Sequence, residues 1–480
     1  MLNLFTFKNK DNAIKRSIEL QNYISYFLKR NFCTTFIQNL NKNLFLPIIV
    51  LELEFKQYII KKFNFKNSQF SNEFLLRNSF FYFLKFFFFI FWVLIFSKKN
   101  KKENCEIIID EINSKYEYNS FLELAKYFKS YKFISYKNCS RKKNIHFFIN
   151  YKNCDRDYLI KNIFLFTSQN FYFLFLSIKH RVNLLPFFYH LIKRCLKYHT
   201  LFKTINAKYL FQERHYSTSS VKKYLFKIYG GINYSCLQRI IIHLGKTGHY
   251  IDVDNLFSLG NKTSLIVKRN SSLIQNIKPL GSYHFEYWKK NFFKKKFDIK
   301  KFEYDILIIG GNKTIDFSAD DLYEKYYKTH LDWIAKISTE FKSARIAIKH
   351  HHNIKCFDKY EDKLVNNFNV KRIVGDEDGS GSSYRYALQS KIVLSWCSTM
   401  VYEILGEGKA AYFLDPNFRN LSFLHNYSFN KEWRINSYVK LHKIISDCLI
   451  DKKKIIIKNK QDFCKKNKNI AHTLYKEITR

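Results

Sequence analysis

The stretch 391–416, KIVLSWCSTMVYEILGEGKAAYFLDP, constrains this chain more than any other. The run 392–396 reads as a buried strand, Cys397-Ser398-Thr399 as a tight corner and the segment carrying Glu403 as a helix. Gly406-Glu407-Gly408 stops that helix, and 410–414 is a second buried strand. A strand, a helix and a strand in that order make one unit of a parallel sheet. A helix that begins at Ser398 or Thr399 leaves backbone N–H groups unpaired at its positive end. These groups and the two hydroxyls favour a phosphate. The plainer alternative is that Ser398 is an N-cap and nothing more. A capping box would put Glu or Gln three residues after the cap, where Val401 and Tyr402 stand. Glu403 therefore has no cap to serve and could accept hydrogen bonds from ribose or sugar hydroxyls.

The same alternation extends over most of the chain. From 105 onward short β runs (105–114, 132–138, 144–150) alternate with a helix at 121–129, and 155–215, rich in Phe, Tyr and Leu, reads as helical. A helix closed by Gly230-Gly231, strands at 232–237 and 264–268, and a turn at Pro279, Gly281 and Ser282 follow. The Lys-rich 291–303 reads as a linker. A second α/β unit opens at YDILIIGG, with strands expected near 305, 346, 372, 393 and 412. The expected organisation is a helical basic N-terminal extension (1–104), a Rossmann-like acceptor domain (105–290), a Rossmann-like nucleotide domain (300–440) and C-terminal helices (441–480).

Charge and hydropathy bound the partners. Lys and Arg number 82 against 40 Asp and Glu, a formal charge of +42, which calls for a polyanion: nucleic acid, an acidic membrane surface or phosphorylated ligands. A chain rich in Lys, Asn, Ile, Phe and Tyr with four Pro also suits an AT-biased genome, so part of the excess is compositional. The charge is dispersed and no nucleic-acid signature is legible, so no specific nucleic-acid partner is expected. In SFFYFLKFFFFIFWVLIF (79–96) the uninterrupted apolar core is 11 residues, short for a span. With the Lys cluster at 98–102 behind it, an in-plane anchor on an anionic membrane surface is expected, ahead of a buried core helix. The ten cysteines show no metal spacing and read as thiols in a reducing compartment. A cytoplasmic location, peripheral on the inner face of the cytoplasmic membrane, is expected.

Four loops fall at the carboxyl ends of the second unit's strands: Gly310-Gly311, Lys349-His350-His351-His352, the Gly-Ser loop through Ser382 and Ser383, and Ser398-Thr399. Converging on one rim, they would form a pocket with glycines for close approach, hydroxyls, a lysine and imidazoles, suited to a nucleoside diphosphate. Singly, each has a bland explanation. Gly-Ser loops are commonly linkers, and successive His on a strand point to opposite faces, so a metal site is not expected. On the other side of the cleft Asp110, Glu111 and His215 are candidates for a general base, and His351 or Lys349 for stabilising a departing phosphate.

The pattern Ser382 to Lys409, with YDILIIGG, IAIKHHHN and KPLGSYHFEYW, resembles bacterial surface-carbohydrate biosynthesis proteins of capsule and lipopolysaccharide. These lie within the GT-B set related to glycerophosphotransferases and nucleotide-sugar glycosyltransferases. The resemblance implies an α/β, GT-B-like fold with two Rossmann-type domains whose parallel sheets face a cleft. It implies a glycosyltransferase with a nucleotide-sugar donor, a glycan or lipid-linked glycan acceptor, no cofactor and no obligatory metal. It puts Ser398 and Thr399 on the donor diphosphate, Glu403 on a donor hydroxyl, and Ser382 and Ser383 elsewhere on the nucleotide. Relatives often carry Gln-His at the end of an N-domain strand, where this chain has Gln238-Arg239. The alternatives are a CDP-polyol glycerophosphotransferase and, from another class, a non-catalytic or nucleic-acid-binding basic protein.

Overall fold

The computed structural model describes residues 13–64, 69–70, 72–97, 101–136, 145–147, 154–239, 250–268, 273–294, 302–310, 322–350, 359–374, 381–395, 398–415, 432–453 and 455–480. Among these, two parallel sheets organise the chain. The first contains β1 (Glu103–Asp110), β2 (Tyr131–Ser135), β3 (Ile145–Phe147), β4 (Ile205–Gln212), β5 (Asn233–Leu237), β6 (Asp252–Ser258) and β7 (Leu273–Pro279) in the order 3-2-1-4-5-6-7. The second contains β8 (Tyr304–Ile309), β9 (Ile346–Lys349), β10 (Val370–Ile373), β11 (Ser390–Ser395), β12 (Ala410–Leu414) and β13 (Arg434–Ile435) in the order 10-9-8-11-12-13, with α11 (Leu322–Glu340) between β8 and β9 and α12 (Lys359–Asn367) between β9 and β10. In both, the first strand lies between the second and the fourth, so strand order reverses there and a crevice opens at the carboxyl ends. Two Rossmann-type domains in the GT-B arrangement are the expected fold class.

The pleat distributes the first domain's core. Ile107 and Ile109 of β1 enter one apolar layer and Ile108 the other, as period-two alternation requires. The Ile108 side is covered by α1 (Ala13–Leu28), α2 (Asn31–Leu44), α3 (Ile48–Lys61), α4 (Ser79–Phe96), α6 (Arg156–His180), α7 (Leu185–Thr204) and α8 (Ser220–Ile228), so the N-terminal helices are a layer of this domain. The Ile107 side is covered by α5 (Lys115–Ala125) and, from the far end of the chain, α16 (Ile470–Thr479). Leu76–Phe96 is long and apolar enough to cross a membrane by length and composition, yet one side of it is packed inside the protein.

Three local readings are corrected. The run 264–268 is the end of helix α9 (Asn261–Lys268), because three apolar residues in a row do not distinguish strand from helix and the Ser258–Gly260 turn starts a helix at once. The region 155–215 contains a strand, β4, whose first half alternates buried and exposed residues. The run 291–303 begins inside α10 (Tyr283–Lys294).

Two passages join the domains. Helix α10 is seated by Tyr283 in the first core and by Phe285, Trp288 and Phe292 in the second. Helix α15 (Tyr438–Leu449) buries Leu441 and Ile445 in the second core, and Phe463 belongs there too. The chain then recrosses: Lys465 N donates to Leu259 O (2.9 Å) and Asn261 Nδ2 to Asp462 Oδ1 (2.9 Å) before α16 docks on the first domain.

Candidate active site

In the second domain, parallel register sets Ile309 beside Ser395, so β8 and β11 end together. Ser395 Oγ accepts from Ser398 N (3.1 Å) and Ser398 Oγ from Met400 N (3.2 Å), which folds the corner onto helix α14 (Met400–Gly406). The Ser398 hydroxyl thus takes the first amide of the helix from one position before the N-cap, which is the half-buried Thr399 and makes no side-chain capping bond. Ser382 and Ser383 lie in the first turn of α13 (Gly381–Leu388), the former buried and the latter half-buried. Gly381 is required by packing, since a Cβ there would come within 2.6 Å of the Trp288 ring. Gly310 ends β8 against His350, leaving no room for a side chain.

Lys349 is buried at the end of β9, where its Nζ donates to His350 O (2.9 Å). His350 Nε2 lies 2.7 Å from Glu361 Oε1, and Arg372 Nε donates to the same oxygen. Gly311, His351 and His352 lie outside the described residues.

Glu403 does not face an open corner. It is buried where α14 meets the first domain, its Oε1 accepting from Ser282 Oγ and, at 3.3 Å, from Tyr384 OH. Burial pushes its carboxyl up to about 7 against the pull of Ser282, Arg239 and Tyr384. At neutral pH it is poised between carboxylic acid and carboxylate.

Across from Glu403, the strand ends of the first sheet carry a cluster that the sequence reading missed. Glu213 follows β4, Arg239 follows β5, His284 is in the first turn of α10, and Tyr116 is in the first turn of α5. His284 Nε2 lies 3.1 Å from Glu213 Oε1, and its Nδ1 lies 2.6 Å from Tyr116 OH. Arg214 Nε is 3.3 Å and Arg239 Nε 3.5 Å from Glu213 oxygens. Burial alone would raise the Glu213 carboxyl, but Arg239, His284 and Arg214 outweigh it and hold it at about 2. Burial, aided by Arg239, lowers His284 to about 4 despite Glu213. At neutral pH the pair is therefore a carboxylate and a neutral imidazole. The Nε2–Glu213 contact is close without being aligned as a hydrogen bond; a proton on Nε2 would leave Nδ1 to accept from Tyr116. Trp288 stacks on Tyr116 (5.3 Å, 12° between planes) while touching Gly381, so this wall and α13 share one aromatic layer.

Of the base candidates, Asp110 and His215 are both buried and already bonded within the protein. Lys222 Nζ, fully buried, donates to Asp110 Oδ2 and Gln212 Oε1 (2.7 Å each), and Tyr136 OH donates to Asp110 Oδ1 (2.8 Å). Asp110 is a structural counter-ion, held ionised by Lys222 against its burial. His215 Nδ1 accepts from Arg239 N (3.2 Å), and burial lowers the imidazole to about 3. Glu111 differs from both. It holds a left-handed backbone (φ 66°) at the crevice end of β1, and burial with the neighbouring Asp110 charge raises its carboxyl. Arg239, just past the strand expected at 232–237, and the His of KPLGSYHFEYW were the available signals for the missed cluster; Glu213-Arg214 gave none, because the segment before them reads as helical. Among the described residues, no three His, Cys, Asp or Glu are grouped as a metal would need.

No family model matches the chain, and no curated protein matches it in sequence. Among solved structures it is similar to the UDP-GlcNAc 2-epimerase of Methanocaldococcus jannaschii (10% identity, 78% of this chain and 99% of that one, TM-score 0.42). It is also similar to the UDP-GlcNAc 2-epimerase of Neisseria meningitidis bound to UDP-GlcNAc (8%, 78% and 100%, 0.46) and to Acinetobacter baumannii MurG (10%, 78% and 99%, 0.41).

Proposed function

We propose that this chain is a glycosyltransferase-like enzyme of surface-polysaccharide or lipopolysaccharide synthesis that acts on a nucleotide-activated sugar. The observation that carries this reading is the meeting, at the domain boundary, of one carboxyl near neutrality (Glu403) with a carboxylate–imidazole–phenol chain (Glu213, His284, Tyr116). Both groups stand at the carboxyl ends of doubly wound sheets, where such folds take ligands. Opposed titratable groups tuned apart are the equipment of acid–base chemistry.

In this reading the donor diphosphate lies against Thr399, Ser398 and the Gly310-Gly311 turn, with Ser383 at the nucleotide. Glu403 accepts from a donor hydroxyl. An acceptor hydroxyl from the first domain's side gives its proton to the Tyr116 oxygen as the phenol proton passes to His284 Nδ1. Glu213 steadies the imidazolium that forms. Arg214 and Arg239, each half-buried, counter the charge that develops on the departing diphosphate. Glu111 is a second base on the acceptor side, and His351 keeps its proposed place near the leaving group.

A second reading uses the same groups. Glu403 and His284 belong to opposite domains, so one could take a proton from a sugar carbon and the other return it on the opposite face, which is epimerisation. A glycerophosphate transfer would keep the diphosphate contacts and change the donor.

The test is a thermal-shift panel of nucleotides, nucleotide sugars and CDP-polyols on the full chain. Stabilisation by one nucleotide class, about 2.7 kcal/mol at a hundredfold excess over Kd, is expected, and Thr399→Val should abolish it while leaving the unliganded melting point in place. Absence of any shift across the panel overturns the reading. A response to CDP-polyols alone reassigns the group transferred.

A further inference from the structure

Helices α4 and α6 lie side by side on the outside of the first domain. Phe171 of α6 meets Phe83 of α4 edge-on (4.9 Å between ring centres), and Asn170 Nδ2 donates to Phe83 O (3.3 Å). Each helix buries one side, as in the packing of Phe86 on Phe188 and Phe89 on Tyr189. The opposite sides are apolar and exposed. On α4 they present Phe80, Phe88, Phe91, Trp92 and Ile95, and on α6 Ile160, Phe164 (87% exposed), Phe171, Phe175 and Ile178. The α6 residues recur at helical spacing and make a stripe of about 27 Å. A soluble monomer does not usually leave so large a contiguous apolar face to water.

The surrounding charge selects the occupant. The two helices contain one acidic residue, Asp157, against Lys85, Arg156, Lys161 and Lys179, while Lys101, Lys102 and Arg181 stand exposed just beyond their ends. A rim of that sign on a chain of +42 complements anionic headgroups. Apart from Ser168 on α6, the face consists of hydrocarbon rings and branches, with Trp92 among them. A protein partner would ask for roughly one hydrogen bond per 100–200 Å². Nor can α4 leave to span a bilayer, since Phe86 and Val93 are fully buried in the core it shares with α6 and α7.

We propose that α4 and α6 together form a monotopic docking face, both helices lying in the plane of an anionic lipid surface with their outer sides sunk among the acyl chains. Sequence alone pointed to 79–96 as an anchor, and the structure adds α6 as an equal half of it. The proposal is independent of the reaction assigned to the domain boundary. A donor proved wrong would leave it standing.

The test uses the full chain in flotation with vesicles of phosphatidylcholine alone or with roughly a third phosphatidylglycerol. Binding that is strengthened by the anionic lipid is expected, with Trp fluorescence quenched by brominated acyl chains through Trp92. The pairs Phe88→Glu with Phe91→Glu on α4, and Phe164→Glu with Phe175→Glu on α6, should each weaken binding by at least about tenfold. All four positions face solvent, so melting curves should match wild type and exclude misfolding as the cause. Failure of wild type to float overturns the proposal. So does an α6 pair that binds like wild type, and so does a soluble dimer that the same variants dissociate while no vesicle is bound.

Discussion

Glu403 is the residue whose environment makes the sharpest claim. Its carboxyl is buried and raised to about 7, so between its unfolded value near 4.3 and that point the folded chain holds a proton the unfolded chain has lost. Stability contributed by this site is therefore full below about pH 4, falls as pH rises towards 7 and is flat above, a span of roughly 3–4 kcal/mol. Glu403→Gln keeps an acceptor for Ser282 and Tyr384 and cannot ionise. Its melting point should gain on wild type between pH 5 and pH 8, and an offset that does not change with pH would remove the assignment. The Ser398 corner was legible in the sequence because its hydrogen bonds are local, running from Ser395 to Met400. The Glu213–His284–Tyr116 chain was not, because its members come from three segments whose meeting depends on the whole fold. Asp110 and Glu111 looked alike as neighbours in sequence. Lys222, more than a hundred residues away, separates them by neutralising one.

At the scale of elements, the long apolar runs were read correctly where both faces of a strand are buried. The run 410–414 is strand β12 residue for residue, because a short apolar run bounded by glycines and a proline has few other fates. Errors came where the cue was weaker, as at 264–268, a helix end, and at Ile205–Gln212, hidden behind twenty residues of α7. Most of the site's geometry is set by how helices approach, and α10 against α13 is the closest case. Gly381 touches the Trp288 ring that also stacks on Tyr116 and Phe292. Gly381→Ala forces a methyl into that contact and should cost about 1–3 kcal/mol. It should also change the near-ultraviolet circular dichroism of Trp288 and weaken nucleotide binding in step. An unchanged melting point would show that the two helices do not meet as closely as this.

The molecule as a whole is two cores tied twice, by α10 and by the returning C-terminal segment. Both ties reach the candidate active site: α10 carries His284, and the return packs Lys465 and Cys464 against Gly281 and Gly406 on its way from Phe463 in the second core to Ile470, Leu474 and Ile478 in the first. Those last three residues share one core with Ile107, Ile109 and Phe211, where, among the described residues, α5 and Tyr283 of α10 are the other helical cover. The second core keeps Phe463 and α15 whether or not the terminal helix is present. Truncation after Lys468 should therefore act unequally. Calorimetry should show a second-domain transition close to its original temperature and a first-domain transition lowered or lost, since uncovering three large aliphatic side chains' worth of apolar contact costs several times the usual effect of a point change. If both transitions fell together, the domains would unfold as a single cooperative unit, and the boundary where Glu403 meets Ser282 would be a fixed joint in place of a cleft able to open around a donor.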